Sequence, residues 1–369
     1  MRGDTTHQAR MIATTPDQLV PHDHPIRRIK PIVDGALAEL SPLFEEIYSR
    51  IGRPSIPPEH LLKAQLLMAL FSVPSARRFC DQLQYNMLFK WFLDLNVDDS
   101  PFHASTFSKN QERLLSQDVA RRFLLQIVAE ARRRQLLSED HFSVDGTLLD
   151  AWASKKSVRP YGDDHEPSLA GRGKNPNVNY RGQRLTNDTH RSTTDPDARF
   201  ARKGDSHQAR LCFAGHLLME HRSGLAVDVQ ITRSQGDPEW EVGLRMLDGL
   251  KGRRRRTVAG DRAYDARDFV AGCRARRITP HVAQYPTTVR RKSAIDGRTT
   301  RHPGYRKSQR WRKRVEEIFG WLKTVGGGGK LRFIGLKRNQ FWAELTVAAY
   351  NLVRMAHIAV QPGPDPVPA

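Results

Sequence analysis

Strand and helix patterns alternate along the sequence from residue 141 to residue 357. An apolar stretch at 141–154 predicts a core strand, and two apolar runs within 211–234 predict a β-hairpin. Helix, strand, helix and strand patterns follow up to residue 285, and an amphipathic pattern at 341–357 predicts a closing helix. This order predicts an α/β fold, with a mixed sheet flanked by helices.

The positive charge of the chain is concentrated in one segment. The formal net charge is +20. Residues 251–338 contain 26 lysines and arginines but only 6 acidic residues, so this segment accounts for the whole excess. A surface that is charged only for solubility would be basic more evenly. The concentration predicts a polyanionic partner, and it favours nucleic acid over an anionic membrane because no long basic amphipathic helix is visible.

The expected organisation has two domains with a tail at each end. Residues 1–25 are polar and predict a flexible tail, and 359–369 predict a second, Pro-rich tail. Residues 26–138 carry helical patterns and predict an all-helical N-terminal domain, and 139–358 predict the α/β domain. Within it, residues 155–210 lack hydrophobic periodicity, which predicts a mobile polar insertion that orders on its partner.

The N-terminal helical domain has two interpretations. Residues 59–71 are apolar nearly all round and predict a buried helix, Ser75 and Ser105 are predicted helix caps, and a longer helix is expected at 120–135. Short helices with intervening turns suit a DNA-binding helix-turn-helix. They suit a dimerisation bundle equally well.

The cysteines and the hydropathy indicate a cytoplasmic protein. Cys80, Cys212 and Cys273 are isolated and belong to no zinc-binding spacing, which suits a reducing compartment. No signal peptide is visible, and the most apolar stretch, residues 61–71, is too short to span a bilayer.

Residues 308–323 are predicted to form one helix with a charged face. Arg312 precedes Glu316 by four residues, and Lys323 follows it by seven, so all three lie on one side of a helix. Alone, this pattern describes a solvent-exposed face with an ion pair. The pattern would instead indicate part of a metal site if further carboxylates, at strand ends, lay close to Glu316.

Asp145 and Asp261 are candidates for those carboxylates. Asp145 lies in an apolar strand, where a charge is costly unless a cation compensates it, although an aspartate before Gly146 also suits a turn. Together with Glu316, the two aspartates could hold two divalent ions about 3.5–4 Å apart, an arrangement used for in-line displacement at phosphorus. Oxygen ligands suit Mg²⁺ or Mn²⁺.

The same residues resemble the motifs of bacterial insertion-sequence transposases of the DDE class. Their last motif, Tyr-x2-Arg-x3-Glu-x6-Lys, is matched at Arg312, Glu316 and Lys323, with Gln309 in the tyrosine position. SVDGTLLDAWAS and VAGDRAYD resemble the first and second aspartate motifs, which assigns those roles to Asp145 and Asp261. The likeness extends from about residue 25 to residue 357.

The resemblance implies an RNase H-like catalytic domain that cleaves DNA at element ends and transfers the strands to target DNA. It implies Mg²⁺ as cofactor, with Mn²⁺ expected to substitute, and a homodimer that binds the terminal inverted repeats and the target. Asp145, Asp261 and Glu316 would be the catalytic residues and metal ligands. The predicted DNA-binding residues are Gln309, Arg310, Arg312, Arg314 and Lys323.

Other functions and other residues stay open. The chain could be an RNase H-like nuclease without strand transfer, or a catalytically silent DNA-binding protein descended from a transposase. Glu317 would face about 100° away from Glu316 on a helix. Further residues of uncertain role are the acids Asp150 and Asp265 and the tryptophans Trp311 and Trp321, which either stack on a flipped base or pack in the core.

Overall fold

A computed structural model describes residues 13–359 apart from 49–50, 52–54, 162–185, 203, 205–206, 251, 253 and 286–291. Within this part, the chain before residue 134 forms helices without strands. Their bounds are α1 Pro16–Leu19, α2 Ile26–Ala38, α3 Ser41–Ile47, α4 Pro58–Leu70, α5 Ala76–Leu83, α6 Met87–Phe92, α7 Ala104–Ser116 and α8 Val119–Arg133. The predicted helical N-terminal region is therefore confirmed.

A mixed sheet forms the centre of the second half. Its strands are β1 His141–Asp150, β4 Arg199–Ala201, β5 Arg210–Glu220, β6 Ala226–Arg233, β7 Arg256–Gly260 and β8 Ile278–Val282. The hairpin strands β5 and β6 are antiparallel, β5 is antiparallel to β1, and β7 and β8 continue parallel to β1. The order β6-β5-β1-β7-β8, with three antiparallel strands followed by two parallel ones, is RNase H-like and confirms the predicted fold class.

Helices cover both faces of this sheet. Helices α9 Glu239–Asp248 and α10 Arg267–Ala275 pack on one face, where Val144 of β1 lies against Gly243 of α9. On the other face lie α12 Pro303–Arg312, α13 Val315–Lys323 and α14 Leu336–Ile358, preceded by the short α11 Gly297–Thr300. Successive strand residues point to opposite faces, so Val144 and Asp145 face different helix layers.

Helix α14 joins the sheet to the N-terminal helices. It packs against α2, α4 and α8 on one side and against β6 and α13 on the other. The side-chain amide of Gln340 bonds Ile231 N at 2.6 Å and Val229 O at 3.0 Å, and Asn351 bonds both the N and the O of Ala226. These amides satisfy the open edge of β6, which would otherwise be available for pairing with another chain. The predicted closing helix at 341–357 is confirmed as part of α14, but it is not amphipathic, because buried residues surround most of this helix.

The predicted polar insertion contains regular structure in its described parts, and so does the basic stretch that follows β8. The described parts of 155–210 form β2 Val158–Pro160 and β3 His190–Ser192, which pair with each other, and β4, which extends the main sheet beside β5. The basic stretch 285–310 contains α11 and most of α12, and Asp296 caps α11. Residues 162–185, 203 and 205–206 of the expected insertion lie outside the described residues.

The helix caps and helix bounds predicted from local sequence are only partly correct. Ser75 caps α5 by accepting a hydrogen bond from Arg78 N, as predicted. The prediction for Ser105 is wrong, because α7 begins at Ala104 and His103 is its cap. The single helix predicted at 308–323 is also wrong, since it is divided between α12 and α13. Within the described ranges, no helix has both the length and the apolar character needed to cross a bilayer.

Candidate active site

The register of β1 and β7 brings Asp145 and Asp261 side by side. Ser143 of β1 is aligned with Ala259 of the parallel strand β7. Asp145 lies two residues beyond Ser143, and Asp261 lies two residues beyond Ala259, so the two aspartates follow the last paired positions on neighbouring strands. Parallel strands end on the same edge of a sheet, and this register delivers both carboxylates to it.

Backbone hydrogen bonds orient both carboxylates. Asp145 Oδ1 accepts a hydrogen bond from Gly146 N at 2.9 Å. Asp261 Oδ1 accepts one from Ala263 N at 2.7 Å and caps the short 3₁₀ turn that follows β7. Each side chain is thereby fixed at one oxygen by a neighbouring N–H.

Asp145 is held in an environment that disfavours its charge. The pKa of Asp145 is raised to about 6, mainly by burial and also by the nearby carboxylates of Asp261 and Glu316. The Gly146 N–H and the guanidinium of Arg312 act in the opposite direction. The charges of Arg312 and Glu316 thus act on Asp145, so the site combines the three predicted acids with one of the predicted cations.

A break between α12 and α13 positions Arg312 and Glu316. Arg314 N donates to Trp311 O at 3.0 Å and Glu316 N to Lys313 O at 3.1 Å, so the chain tightens into a three-residue turn at 313–314. Arg312 ends α12, and Glu316 lies exposed in the first turn of α13. Although the helix is interrupted, both residues remain beside Asp145.

Lys323 lies on the same face of β1 as Asp145. Its Nζ donates to Thr147 Oγ1 at 2.6 Å, and Thr147 is two strand residues beyond Asp145. Because side chains two residues apart point to the same side of a strand, this contact holds the ammonium next to the carboxylate site.

Glu239 is a fourth acid at the site, and the sequence interpretation missed it. It is the first residue of α9, on the face of β1 opposite Asp145. A Cβ on Gly146 would lie only 2.8 Å from Glu239 Cδ and closer still to Oε1, so the missing side chain of Gly146 leaves the space that this carboxylate fills. Tyr264 OH donates to the same oxygen at 3.3 Å. In the sequence, Glu239 is only an acid at the start of a helix, and this feature is too common to identify a site residue.

Burial and the nearby carboxylates of Asp261 and Asp145 together raise the pKa of Glu239 to about 7. The hydrogen bond from Tyr264 acts against this rise. Ionisation of the Glu239 carboxyl group beside these acids therefore costs free energy.

The competing acids have other partners. Asp265 is buried and accepts hydrogen bonds from Tyr285 N, Ser293 Oγ and Ala294 N at 2.8 to 3.2 Å, so it holds the chain that follows β8. Asp150 pairs with Arg210 at 3.0 Å. Glu317 acts electrostatically on Arg314 and Tyr350, away from the Asp145 environment.

The predicted DNA-binding residues fall into different positions. Gln309 points into the protein and donates through Nε2 to His281 O, which ties α12 to β8. Arg314 donates to His221 O at 3.0 Å and stacks on Trp311. Arg310 is exposed. Trp311 is 40 % exposed, whereas the ring of Trp321 packs edge-on against that of Tyr350 in the core.

The donor chemistry of this site suits a divalent cation, although the side chains are not collected for one. Among the residues that the structure describes, no three His, Cys, Asp or Glu side chains stand close enough together to hold an ion. The site nevertheless offers hard carboxylate oxygens and no soft ligand, which is the set that Mg²⁺ and Mn²⁺ prefer. A cation would also relieve the repulsion that raises the pKa values of Asp145 and Glu239.

Two family models match this chain. Residues 14–113 match "Transposase domain (DUF772)", and residues 180–352 match "Transposase DDE domain". Together they span about three quarters of the sequence. The second match includes Asp261 and Glu316, whereas Asp145 lies between the two matched ranges.

Solved transposase structures show a weak likeness. A cryo-EM structure of the piggyBac transposase synaptic complex with hairpin DNA is 11 % identical, covers 90 % of this chain and 75 % of its own, and has a TM-score of 0.41. The Mos1 strand transfer complex is 11 % identical, with coverage of 78 % and 82 % and a TM-score of 0.20. The Mos1 paired-end complex with the left transposon end has the same identity and TM-score, with coverage of 81 % and 98 %. No curated protein matches the chain.

Proposed function

This chain belongs to the DDE transposases, enzymes of DNA transposition, and from that premise we propose that Asp145, Asp261 and Glu316 are its catalytic carboxylates. The reaction would cleave DNA at the ends of an insertion element and join those ends to target DNA. The observation that carries this proposal is the β1–β7 register, which delivers Asp145 and Asp261 to one sheet edge with Glu316 beside them.

These three acids would hold divalent ions, Mg²⁺ in the cell with Mn²⁺ as a substitute. Bound there, the ions would supply positive charge at the reacting phosphate and lower the pKa of a coordinated water or 3′-hydroxyl. Asp145 and Asp261 are oriented for this role by their hydrogen bonds to Gly146 and Ala263. Asp145 lies within β1 and Asp261 directly follows β7, and placement on a rigid sheet preorganises such a site better than placement on loops.

Arg312 and Lys323 would bind DNA phosphates next to the carboxylates. The Nε of Arg312 is buried and has no hydrogen-bond partner among the described residues. Buried donors are normally satisfied, so an acceptor from outside the chain, such as a phosphate oxygen, would complete this one. Lys323 is held against Thr147 on the same side of β1 and would add a second positive charge. Such cations are needed because DNA would otherwise be repelled by the acids.

The partners would be the terminal inverted repeats of the element and a target duplex. Two ends must be brought together before they are joined, so we propose a homodimer in the synaptic complex. A bacterial cytoplasm, with the protein on the nucleoid when DNA is bound, is the setting that this function requires.

The test is cleavage and strand transfer on the element's own terminal DNA, with Mg²⁺ present and absent. Asp145→Asn, Asp261→Asn and Glu316→Gln should each lower the rate by at least about a thousandfold while leaving DNA affinity within a few-fold of the unchanged protein. Normal cleavage by any one of these variants would remove that residue from the site.

Glu317→Gln is the matched control. Glu317 is the sequence neighbour of Glu316 and lies in the same turn of α13, but its charge acts on Arg314 and Tyr350. Its loss should leave the rate unchanged. Products that are only nicked, without joined strands, would indicate a nuclease and contradict transposition.

A further inference from the structure

Trp152 presents an exposed aromatic ring just beyond the end of β1. Its side chain is 51 % exposed, although its neighbours Ala151 and Ala153 are buried. Ala151 N donates to Leu211 O at 2.9 Å and continues the pairing with β5, so the backbone is fixed immediately before the ring. The ring is thus exposed to solvent next to an ordered strand.

One cation lies over this ring, and a second lies near the end of β1. Lys330 Nζ lies 5.3 Å from the ring centroid, and the segment of Lys330 pairs with the end of β1, where Leu331 N donates to Asp150 O at 2.8 Å. Arg210, whose side chain is 65 % exposed, forms an ion pair with Asp150, two residues before Trp152.

An exposed ring bordered by cations has the chemistry of a single-strand binding platform. The cations attract phosphates, and the flat ring stacks on a base whose face is open. Bases inside a duplex are already stacked on their neighbours and cannot use such a ring. We propose that Trp152, with Lys330 and Arg210, binds an unpaired stretch of DNA by stacking one base on the indole.

Trp152 lies within reach of DNA bound at the proposed cleavage site. It follows Asp145 by seven residues, which span about 23 Å at 3.3 Å per residue along an extended strand. This inference rests on the proposed function, since it assumes that DNA occupies the carboxylate site.

The experiment measures binding without divalent metal, so that no DNA is cut. Full-length protein is titrated into dye-labelled duplexes of mixed sequence, one blunt and one with an unpaired 3′ extension, and fluorescence anisotropy is followed. Trp152→Ala should weaken binding of the extended duplex about tenfold and leave the blunt duplex unchanged. Trp152→Phe, which keeps an aromatic ring, should restore most of the affinity.

Tyr85→Ala provides the control, because Tyr85 is an aromatic residue of the N-terminal helical region with 67 % exposure. It should not change the ratio of the two affinities. A second readout is the quenching of 2-aminopurine placed at successive positions along the extension. The unchanged protein should quench most strongly at one position, and Trp152→Ala should lose that maximum.

The outcomes separate the two proposals. Binding of neither duplex by the unchanged protein would overturn the proposed function and this inference together. If Trp152→Ala bound each duplex as tightly as the unchanged protein does, the inference alone would be overturned. The same would follow if Trp152→Ala lost the same affinity for both duplexes. In the first of these cases the Lys330–Trp152 contact would serve only the fold or a protein partner.

Discussion

The carboxylate of Glu239 occupies the space that a side chain at position 146 would fill. Cδ of Glu239 would lie 2.8 Å from a Cβ on Gly146 and Oε1 closer still, which is far inside van der Waals contact. The glycine after Asp145 therefore has a steric role in addition to any role in backbone conformation. It lets an acid from the α9 face of the sheet reach the β1–β7 edge.

Gly146→Ala should displace the Glu239 side chain. Because a carboxylate at the end of a flexible side chain can move, the expected loss in free energy of unfolding is modest, about 1–2 kcal/mol by urea denaturation. Glu239→Ala removes the obstacle, so the methyl group introduced by Gly146→Ala should be tolerated in the double variant. The two changes should then be clearly non-additive. Additive losses would show that the glycine is needed for another reason.

Arg121 ties α8 of the N-terminal region to β6 by an ion pair with the buried Asp228, close to Glu344. Arg121→Met would leave two buried acids without their cation, and we expect a loss of about 3 kcal/mol in free energy of unfolding. Arg121→Met with Asp228→Asn should recover much of it. The control is Arg338→Met in the exposed pair with Glu112, for which the loss should stay below about 1 kcal/mol. Similar losses for the two arginines would contradict the argument.

Glu344 should make stability depend on pH. Burial raises its pKa to about 7, above the ordinary value of 4.5 that applies to the unfolded chain. The folded state thus binds the proton more tightly, and this stabilisation is complete below about pH 4.5 and lost as the pH rises through 7. Glu344→Gln, which can still accept the hydrogen bond from Gln340, should be more stable than the unchanged protein by about 2 kcal/mol at pH 8 and nearly equal to it at pH 4.5.

Thermal unfolding across this pH range checks the prediction for Glu344. Asp98→Asn, at an exposed position, is the control and should shift the whole curve without changing its slope. A constant difference between Glu344→Gln and the unchanged protein would mean that Glu344 is ionised throughout.

Gln309 should matter to folding more than to DNA binding. Its hydrogen bond to His281 O joins α12 to β8, so Gln309→Ala should lower the free energy of unfolding by about 1 kcal/mol. DNA affinity should stay within about twofold, whereas Arg312→Ala should weaken it by tenfold or more. Electrophoretic mobility shift and urea denaturation measure the two effects. A large loss of affinity without a loss of stability would instead support the DNA contact suggested by the position of Gln309 in the motif.

Local patterns in the sequence determined most of the secondary structure. The apolar strand at 141–150, the hairpin at 211–233 and the apolar helix α4 were predictable because burial leaves a regular period in a short stretch of chain. Asp145 was identified by its apolar strand and Glu316 by its spacing from Arg312 and Lys323, and the resemblance to the DDE motifs added Asp261 to them. The concentration of positive charge in residues 251–338 follows from a count of the charged residues.

Only the tertiary structure decided how these parts meet. The register of β1 against β7 pairs residues more than a hundred positions apart, and this register, which no local period encodes, places Asp145 beside Asp261. The turn at 313–314 divides a helix whose sequence period is continuous. Asp265 resembled a candidate ligand until its three hydrogen bonds showed a structural role, and Glu239 became visible only through the space at Gly146. The sequence shows the local conformational preference and burial pattern of each segment, whereas contacts between distant segments depend on the packing of the whole chain.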